Sequence, residues 1–281
     1  MVVRFLGIGD NTVDDYTHLR TLFPGGNALN VAVYASMLGC DAAYVGVFGS
    51  DAAANHMQQT LAELGLDTSR STRAEGPSGK AMLAIEDGER IFTGSNGGGV
   101  RKSVSMEFAF DDVDYLKSFP LAHTSTYSFI DEHLPRLASL VPIVSYDFSD
   151  DFETAKALSL CTYIDVPFFS CPDSTDEETQ NLLQSAVDQG CMLAAATRGM
   201  REAILFDGHS WYRQAPHPVT PIDTLGAGDG FISAFLVSCF EGHSGKETPA
   251  PESIERALDK AASFAAKTCL VQGAFGRGLG Y

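Results

Sequence analysis

The chain has 281 residues, of which 44% are hydrophobic and 20% charged, an ordinary globular composition that argues against intrinsic disorder. Nineteen Lys and Arg face 36 Asp and Glu, and the formal charge of −17 disfavours DNA, RNA and anionic membranes as partners, so a small substrate is expected. Six cysteines (Cys40, Cys161, Cys171, Cys191, Cys239, Cys269) are scattered with no Cys-x-x-Cys pair, which points to reduced thiols, a cytoplasmic setting and no zinc site.

In chain order, Val2 to Ile8 reads as a buried strand ending in Gly7-Ile8-Gly9, and no signal-peptide cleavage region follows it. The stretch from Thr21 to Cys40 carries no charge, but Pro24, Gly25, Gly26, Asn27 and Asn30 would be costly in hydrocarbon. A helix is expected over Asn27 to Leu38 with Gly39 as its stop, then a strand over Tyr44 to Phe48 and a helix over Ala52 to Leu64 closed by Gly65. Ala81 to Ile85 and Arg90 to Thr93 flank Glu86-Asp87-Gly88-Glu89, a tight-hairpin signal, and Gly94 to Gly99 reads as a mobile loop. Further strands are expected at Ile143 to Asp147, Tyr163 to Phe168, Cys191 to Thr197 and Ala203 to Phe206. Helices are expected at Glu177 to Gln189, Gly228 to Phe240 and Pro251 to Val271. Such alternation implies an α/β fold with a mostly parallel sheet covered on both faces.

The most informative stretch is VTPIDTLGAGDGFISAFLVSCF, Val219 to Phe240. It reads as a short strand, then Asp223-Thr224, then Gly226-Ala227-Gly228-Asp229 opening an apolar helix. Small residues at the turn let successive N–H groups converge at the positive end of the helix, an anion hole suited to phosphate oxygens. Asp229, in the first turn, would accept a proton from an attacking hydroxyl. The competing reading makes the glycines turn residues and Asp229 a charge favoured by the helix dipole. A second constellation, GGNALNVA from Gly25 to Ala32, lets a ligand approach the backbone, and the Asn30 amide suits sugar hydroxyls; equally, this is a loop with an Asn near a helix start. Asp10, Asn11 and Asp14 follow the first strand, where open α/β sheets gather ligand groups, or one of the acids caps a turn. Gly7-Ile8-Gly9 lacks the third glycine of a dinucleotide fingerprint, since Thr12 stands there, and no Walker A loop is present.

Together these residues resemble the ribokinase-like, PfkB-type carbohydrate kinases over essentially the whole chain. The likeness is strongest at GGNALNVAVYASMLG (Gly25 to Gly39) and DTLGAGDGF (Asp223 to Phe231). Gly9-Asp10-Asn11, Asp14, Asp147-Phe148-Ser149-Asp150 and Tyr212 to Pro216 make the chain most similar to the fructoselysine 6-kinase branch. The resemblance implies a Rossmann-like αβα sandwich forming one domain over 1–281, with a small β lid contributed by about 12–20 and 78–100. It implies transfer of the γ-phosphoryl group of ATP, with Mg²⁺ and a monovalent cation such as K⁺, to the 6-hydroxyl of a fructosamine. Asp229 becomes the catalytic base and Gly226, Ala227 and Gly228 the anion hole. Asp10, Asp14, Gly26 and Asn30 fall on sugar positions. Thr197, Gly199, Thr224, Gly226, Gly228 and Gly273 fall on the ATP side, with Gly273-Ala274 near the adenine and the cation loop.

Three departures stand out. Leu225 replaces a common threonine, Glu202 replaces a usual glycine, and the Asn-x-x-Glu metal motif is not evident around Ser170 to Asp173, which leaves Asp173, Asp176 or Glu177 as metal candidates. Other readings are a kinase for fructose, ribose or a nucleoside, a silent sugar-binding protein on the same fold, and, more distantly, a nicotinamide-dependent oxidoreductase. A homodimer through the lid is a further expectation.

Overall fold

The computed structural model describes residues 3–86, 89–242 and 245–281. In chain order its strands are β1 (Arg4–Gly9), β2 (Thr12–Tyr16), β3 (Thr21–Gly25), β4 (Asp41–Phe48), β5 (Thr72–Arg73), β6 (Lys80–Glu86), β7 (Glu89–Ser95), β8 (Leu121–Ser125), β9 (Ile143–Asp147), β10 (Val166–Ser170), β11 (Ala194–Thr197), β12 (Ala203–Phe206), β13 (Trp211–Gln214) and β14 (Leu279–Gly280). The α-helices are α1 (Asn27–Met37), α2 (Ala52–Glu63), α3 (Val100–Ser103), α4 (Val113–Lys117), α5 (Leu134–Leu140), α6 (Thr154–Leu160), α7 (Asp176–Asp188), α8 (Ala227–Cys239) and α9 (Pro251–Thr268).

Nine strands form the central sheet in the order β13-β12-β11-β10-β9-β8-β1-β4-β5. Every pairing from β11 to β5 is parallel, and only the β11–β12 and β12–β13 pairings are antiparallel. The parallel strands read as continuous apolar runs because both faces are covered. One face packs Phe5, Tyr44, Val166 and Phe168 against α1, α8 and α9; the other packs Leu6, Ile8, Val144 and Phe169 against α5, α6 and α7. Parallelism also aligns strand ends, so Gly9, Ser125, Asp147, Ser170 and Thr197 fall along one carboxyl edge, where open sheets collect ligand groups.

A second, five-stranded sheet has the order β14-β3-β2-β6-β7. It contains both stretches expected to form a lid and adds β3 and β14. The antiparallel β6–β7 pairing agrees with the hairpin, though Asp87-Gly88 lie outside the described residues. Val2, where the first strand was expected to begin, also lies outside them, as does Met1.

Several expectations are corrected. Val219 to Ile222 forms no strand: Pro216, Pro218 and Pro221 withhold ladder donors, and the N–H groups of Ile222 and Asp223 both donate to Cys269 O, at 2.8 and 3.2 Å. The strand expected from Tyr163 starts at Val166, after a 3₁₀ turn over Cys161–Tyr163, because the Asp165 side chain accepts Val144 N–H at 2.8 Å and opens the pairing itself. The strand expected from Cys191 starts at Ala194, since the N–H groups of Met192 and Leu193 turn back to Asp165 O. Gly94 and Ser95 belong to β7, Asn96 is tied to Lys80 N and Ser78 O, and Gly99 is packed: a Cβ there (φ +56°) would lie 2.4 Å from Pro77 O. Among the described residues, no helix is long and apolar enough to cross a membrane.

Candidate active site

Helix α8 begins where Gly226 takes φ +77°, a left-handed conformation that glycine adopts without strain. A Cβ at Gly226 would stand 2.7 Å from the Tyr34 hydroxyl and 2.9 Å from Ala274 Cβ, so the glycine also permits close packing of α1 and the 273–276 turn. The first N–H groups of a helix lack intrahelical partners, and α8 therefore presents Gly228 and Asp229 with an anion-attracting start. A Cβ at Gly228 would meet nothing within 4 Å, leaving open space at this cradle.

Asp229 lies in that first turn, as expected. Its Oδ2 accepts from Asn30 Nδ2 at 2.7 Å and its Oδ1 from Asn27 Nδ2 at 2.8 Å. Asn27 Nδ2 also donates to Asp147 Oδ2 at 2.8 Å, so one amide bridges two acids. Asp147 and Asp229 keep partial solvent contact, as groups at the floor of a cleft do. The surrounding protein still penalises their charge. Burial, with Asp147 and Asp10 nearby, pushes Asp229 up to about 8 against the Asn30 and Asn27 hydrogen bonds that lower it. Burial likewise pushes Asp147 up to about 7, opposed by the Ser149 N–H and the Asn27 amide. A carboxylate held by amides rather than by a cation, at the mouth of an anion cradle, has the properties of a general base.

The residues expected to bind a sugar divide. Asn30 spends Nδ2 on Asp229, while its buried Oδ1 has no protein partner among the described residues. Asp14 is buried on β2, and a Cβ on Gly25 would fall 2.1 Å from its Oδ2, so this carboxylate lies directly over the glycine pair. Gly26 (φ +109°) could hold no side chain, since a Cβ would meet Asn11 Cα at 2.6 Å. Asp10, by contrast, is committed to scaffolding. It accepts from Asn27 N at 2.6 Å and Ala28 N at 3.2 Å, and from the hydroxyls of Ser125 and Ser128 at 2.8 Å each. It thus caps α1 across space, a task that Gly26 at the N-cap position has no side chain to perform.

Amid the residues expected on the ATP side, Asp223 organises the turn that holds Thr224 and Gly226. It accepts from Leu225 N and Gly273 N, each at 3.0 Å, and from the Tyr16 hydroxyl on β2. Tyr34 donates to Ala274 O. Thr224, Gly226, Gly228 and Gly273 are therefore brought together, with Thr224 O accepting Ala227 N–H at 3.3 Å. Thr197 ends β11 and Gly199 takes φ +64° in the turn beyond it, farther along the same sheet edge. Glu202 meets Arg213 at 3.6 Å.

The expected metal ligands do not converge. Asp176 is held by Arg198 at 2.6 Å and Arg213 at 2.7 Å, while Asp173 and Glu177 are exposed. Glu177 sits in the acidic first turn of α7, which a Thr175–Glu178 capping box starts, so its charge already has a structural reason. Among the described residues, no group of three or more His, Cys, Asp or Glu could hold a metal ion.

Sequence reasoning missed Asn27, His123 and Asp147 as site residues. Asn27 lies inside the motif that was read, and Asp147 inside a quoted run, but neither has a local signal for its role. The buried His123 has none at all.

The family model for pfkB family carbohydrate kinase matches residues 7–276, and the chain belongs to that family. It is a carbohydrate kinase, transferring a phosphoryl group to a hydroxyl. It is 40% identical to "Fructosamine kinase FrlD" of Bacillus subtilis over 281 residues, covering 99% of this chain and 95% of that one. It is 32% identical to "Fructoselysine 6-kinase" of Escherichia coli over 270 residues, covering 95% and 98%. Among solved structures, it resembles ribokinase from Arabidopsis thaliana complexed with ribose and ATP (TM-score 0.79, 20% identity, covering 99% and 97%). It also resembles fructokinase with bound ATP from Xylella fastidiosa (TM-score 0.78, 21% identity, covering 97% and 94%). The ribokinase-like α/β fold is thereby shown.

Proposed function

We propose that this chain is an ATP-dependent kinase that phosphorylates the 6-hydroxyl of a fructosamine such as fructoselysine. The observation that carries the chemistry is Asp229, held by two amides in the first turn of α8 beside the Gly226–Gly228 cradle. The two fructosamine-directed relatives support the choice of acceptor.

When bound, ATP supplies the migrating phosphoryl group. The substrate hydroxyl oxygen forms a bond to the γ-phosphorus, the bridging bond to ADP breaks, and Asp229 takes the hydroxyl proton. The N–H groups of Gly226, Ala227 and Gly228 are the anion hole in this reading, the Ala227 N–H turning to the phosphate from its long 3.3 Å bond to Thr224 O, because a helix start fits a phosphate. Thr197, Gly199, Thr224 and Gly273 line the nucleotide side. Asn30 Oδ1, buried and without a protein partner among the described residues, accepts a sugar hydroxyl, and Asp14 and Gly26 hold the ring. Asp10 acts behind them by fixing α1. Mg²⁺ would be held chiefly by phosphate and water, with at most one carboxylate such as Asp173, as this ion commonly is. Gly273 N–H and Ala274 O are engaged by Asp223 and Tyr34, so a K⁺ in that loop would draw on other carbonyls.

The five-stranded sheet is read as the lid of one kinase domain. Its outer strand β7 exposes Ile91 and Phe92, an apolar edge that a second copy would cover. The six free thiols fit a cytoplasmic setting. Phe129, 46% exposed, lies beside Gly98 and Lys102, and this rim receives the amino-acid part of the substrate.

A coupled ADP-release assay with ATP and Mg²⁺ over fructoselysine, other fructosamines, fructose and ribose tests the proposal, with NMR locating the phosphorylated carbon. A higher kcat/KM for free fructose would replace the acceptor. Sugar-induced stabilisation without ADP release would replace the kinase reading by a binding protein.

A further inference from the structure

Behind the two acids lies a row of hydrogen bonds that ends in the sheet. Ser145 Oγ on β9 is 3.0 Å from His123 Nδ1 on β8, and His123 Nε2 is 2.9 Å from Asn27 Oδ1. Both His123 and Ser145 have no exposed surface, and burial holds the imidazole neutral, its pKa pushed down to about 3. A neutral imidazole carries one N–H.

The direction of the chain follows from its far end. Asp147 and Asp229 in their ionised forms can only accept, so Asn27 must present its NH₂ to both. Its carbonyl oxygen then faces His123 and can only accept, which puts the imidazole proton on Nε2. Nδ1 is left as an acceptor, and Ser145 Oγ–H supplies its donor. A reversed Asn27 would aim Oδ1 at two carboxylates and raise the cost of ionising Asp229.

We infer that His123, oriented by Ser145, is a positioning residue: it locks the Asn27 amide so that both N–H bonds point at Asp147 and Asp229, keeping the base ionisable. The groups facing Asp229 are Asn30, Asn27 and Tyr34 of α1, Asp147 of β9, and Asp10 beyond β1, and no ion pair joins Asp229 to a cation among the described residues. With acids on several sides and no paired cation, the Asn27 amide direction adds to the α8 helix start and the Asn30 amide in favouring the charged form. The inference rests on the kinase reading for its consequence, but not for its geometry.

Two measurements test it. In the ¹⁵N NMR spectrum of the whole protein above about pH 9, where both acids are ionised, His123 should show the Nε2–H tautomer; an Nδ1–H tautomer overturns the inference whatever the enzyme acts on. In pH profiles of kcat/KM for the fructosamine, His123→Leu should move the rising limb up by about one unit and lower kcat about 100-fold. His123→Gln, which restores a donor at the Nε2 position, should recover most of both. If the leucine variant does not fold, Ser145→Ala, which removes one hydroxyl, should shift the limb in the same direction. A folded variant whose profile superimposes on that of the parent overturns the inference. Loss of all fructosamine activity in the parent protein would instead defeat the functional proposal and leave the tautomer result standing.

Discussion

Asn30 Nδ2 donates to Asp229 Oδ2 at 2.7 Å across 199 residues of sequence, joining the start of α1 to the start of α8. This contact makes one site of two motifs, and it gives the first prediction. Asp229→Asn should lower kcat by about 10²–10⁴, the contribution of a positioned base, while the ATP dissociation constant changes only a few fold. Asn30→Ala should lower kcat less and raise KM for the sugar, because it removes both the donor to Asp229 and the acceptor proposed for substrate. Steady-state kinetics with parallel nucleotide titrations separate the two.

The rate should rise with pH. Asp229, pushed up to about 8 by burial, holds a proton below that value and cannot accept another. On the acid side kcat/KM should therefore fall about tenfold per unit, with the midpoint between pH 7 and 8. A flat profile from pH 6 to 9 would contradict the assigned base.

Stability should run the other way. Asp147 and Asp229 have folded-state pKa values of about 7 and 8, above those of free carboxyls, so the folded protein keeps protons that the unfolded chain has released. The stability this supplies is fully present below about pH 4 and is lost as pH rises through 7 to 8. Asp147→Asn should thus gain stability relative to the parent on going from pH 5 to pH 9. Solvent contact in the cleft screens part of the effect, so the expected relative gain is about 1–2 kcal/mol, read from thermal unfolding at both pH values.

Gly226→Ala should be poorly tolerated. The residue has φ +77°, and a Cβ would stand 2.7 Å from Tyr34 Oη and 2.9 Å from Ala274 Cβ. A cost of about 1–3 kcal/mol in unfolding free energy is expected, with a higher KM for ATP as the cradle shifts. Gly228→Ala, which meets nothing within 4 Å, should leave stability nearly unchanged yet still obstruct phosphate approach.

Lys102 is exposed, and its Nζ is 4.0 Å from the place a Cβ on Gly97 would occupy. No ion pair of Lys102 is present among the described residues. If this cation meets the carboxylate of the amino-acid part, Lys102→Met should raise KM about tenfold for fructoselysine and leave an N-alkyl fructosamine without a carboxylate unaffected. Equal effects on both would remove Lys102 from the rim.

Much of the fold was legible because its signals are local. Apolar runs ended by Gly39 and Gly65 marked α1 and α2 to within a residue or two, and the Gly-Ala-Gly-Asp turn marked the start of α8. The failures share one cause. Pro216, Pro218 and Pro221 cancel an apolar run that otherwise resembles a strand, and Asp165 delays β10 and β11 through hydrogen bonds to residues distant in sequence. The two-residue strand β14 exists only because β3 offers it an edge.

What the sequence alone determined was the alternating α/β architecture, the carbohydrate-kinase resemblance and the place of Asp229 in the first turn of a helix, since each is written in contiguous residues. Tertiary structure decided that Asp10 caps α1, that Asp176 is consumed by two arginines, and that Asn27 stands between two acids with His123 behind it. The physical reason is that a polar side chain's role depends on which partner satisfies it once water is excluded. Those partners lie some 17 to 202 residues away along the chain.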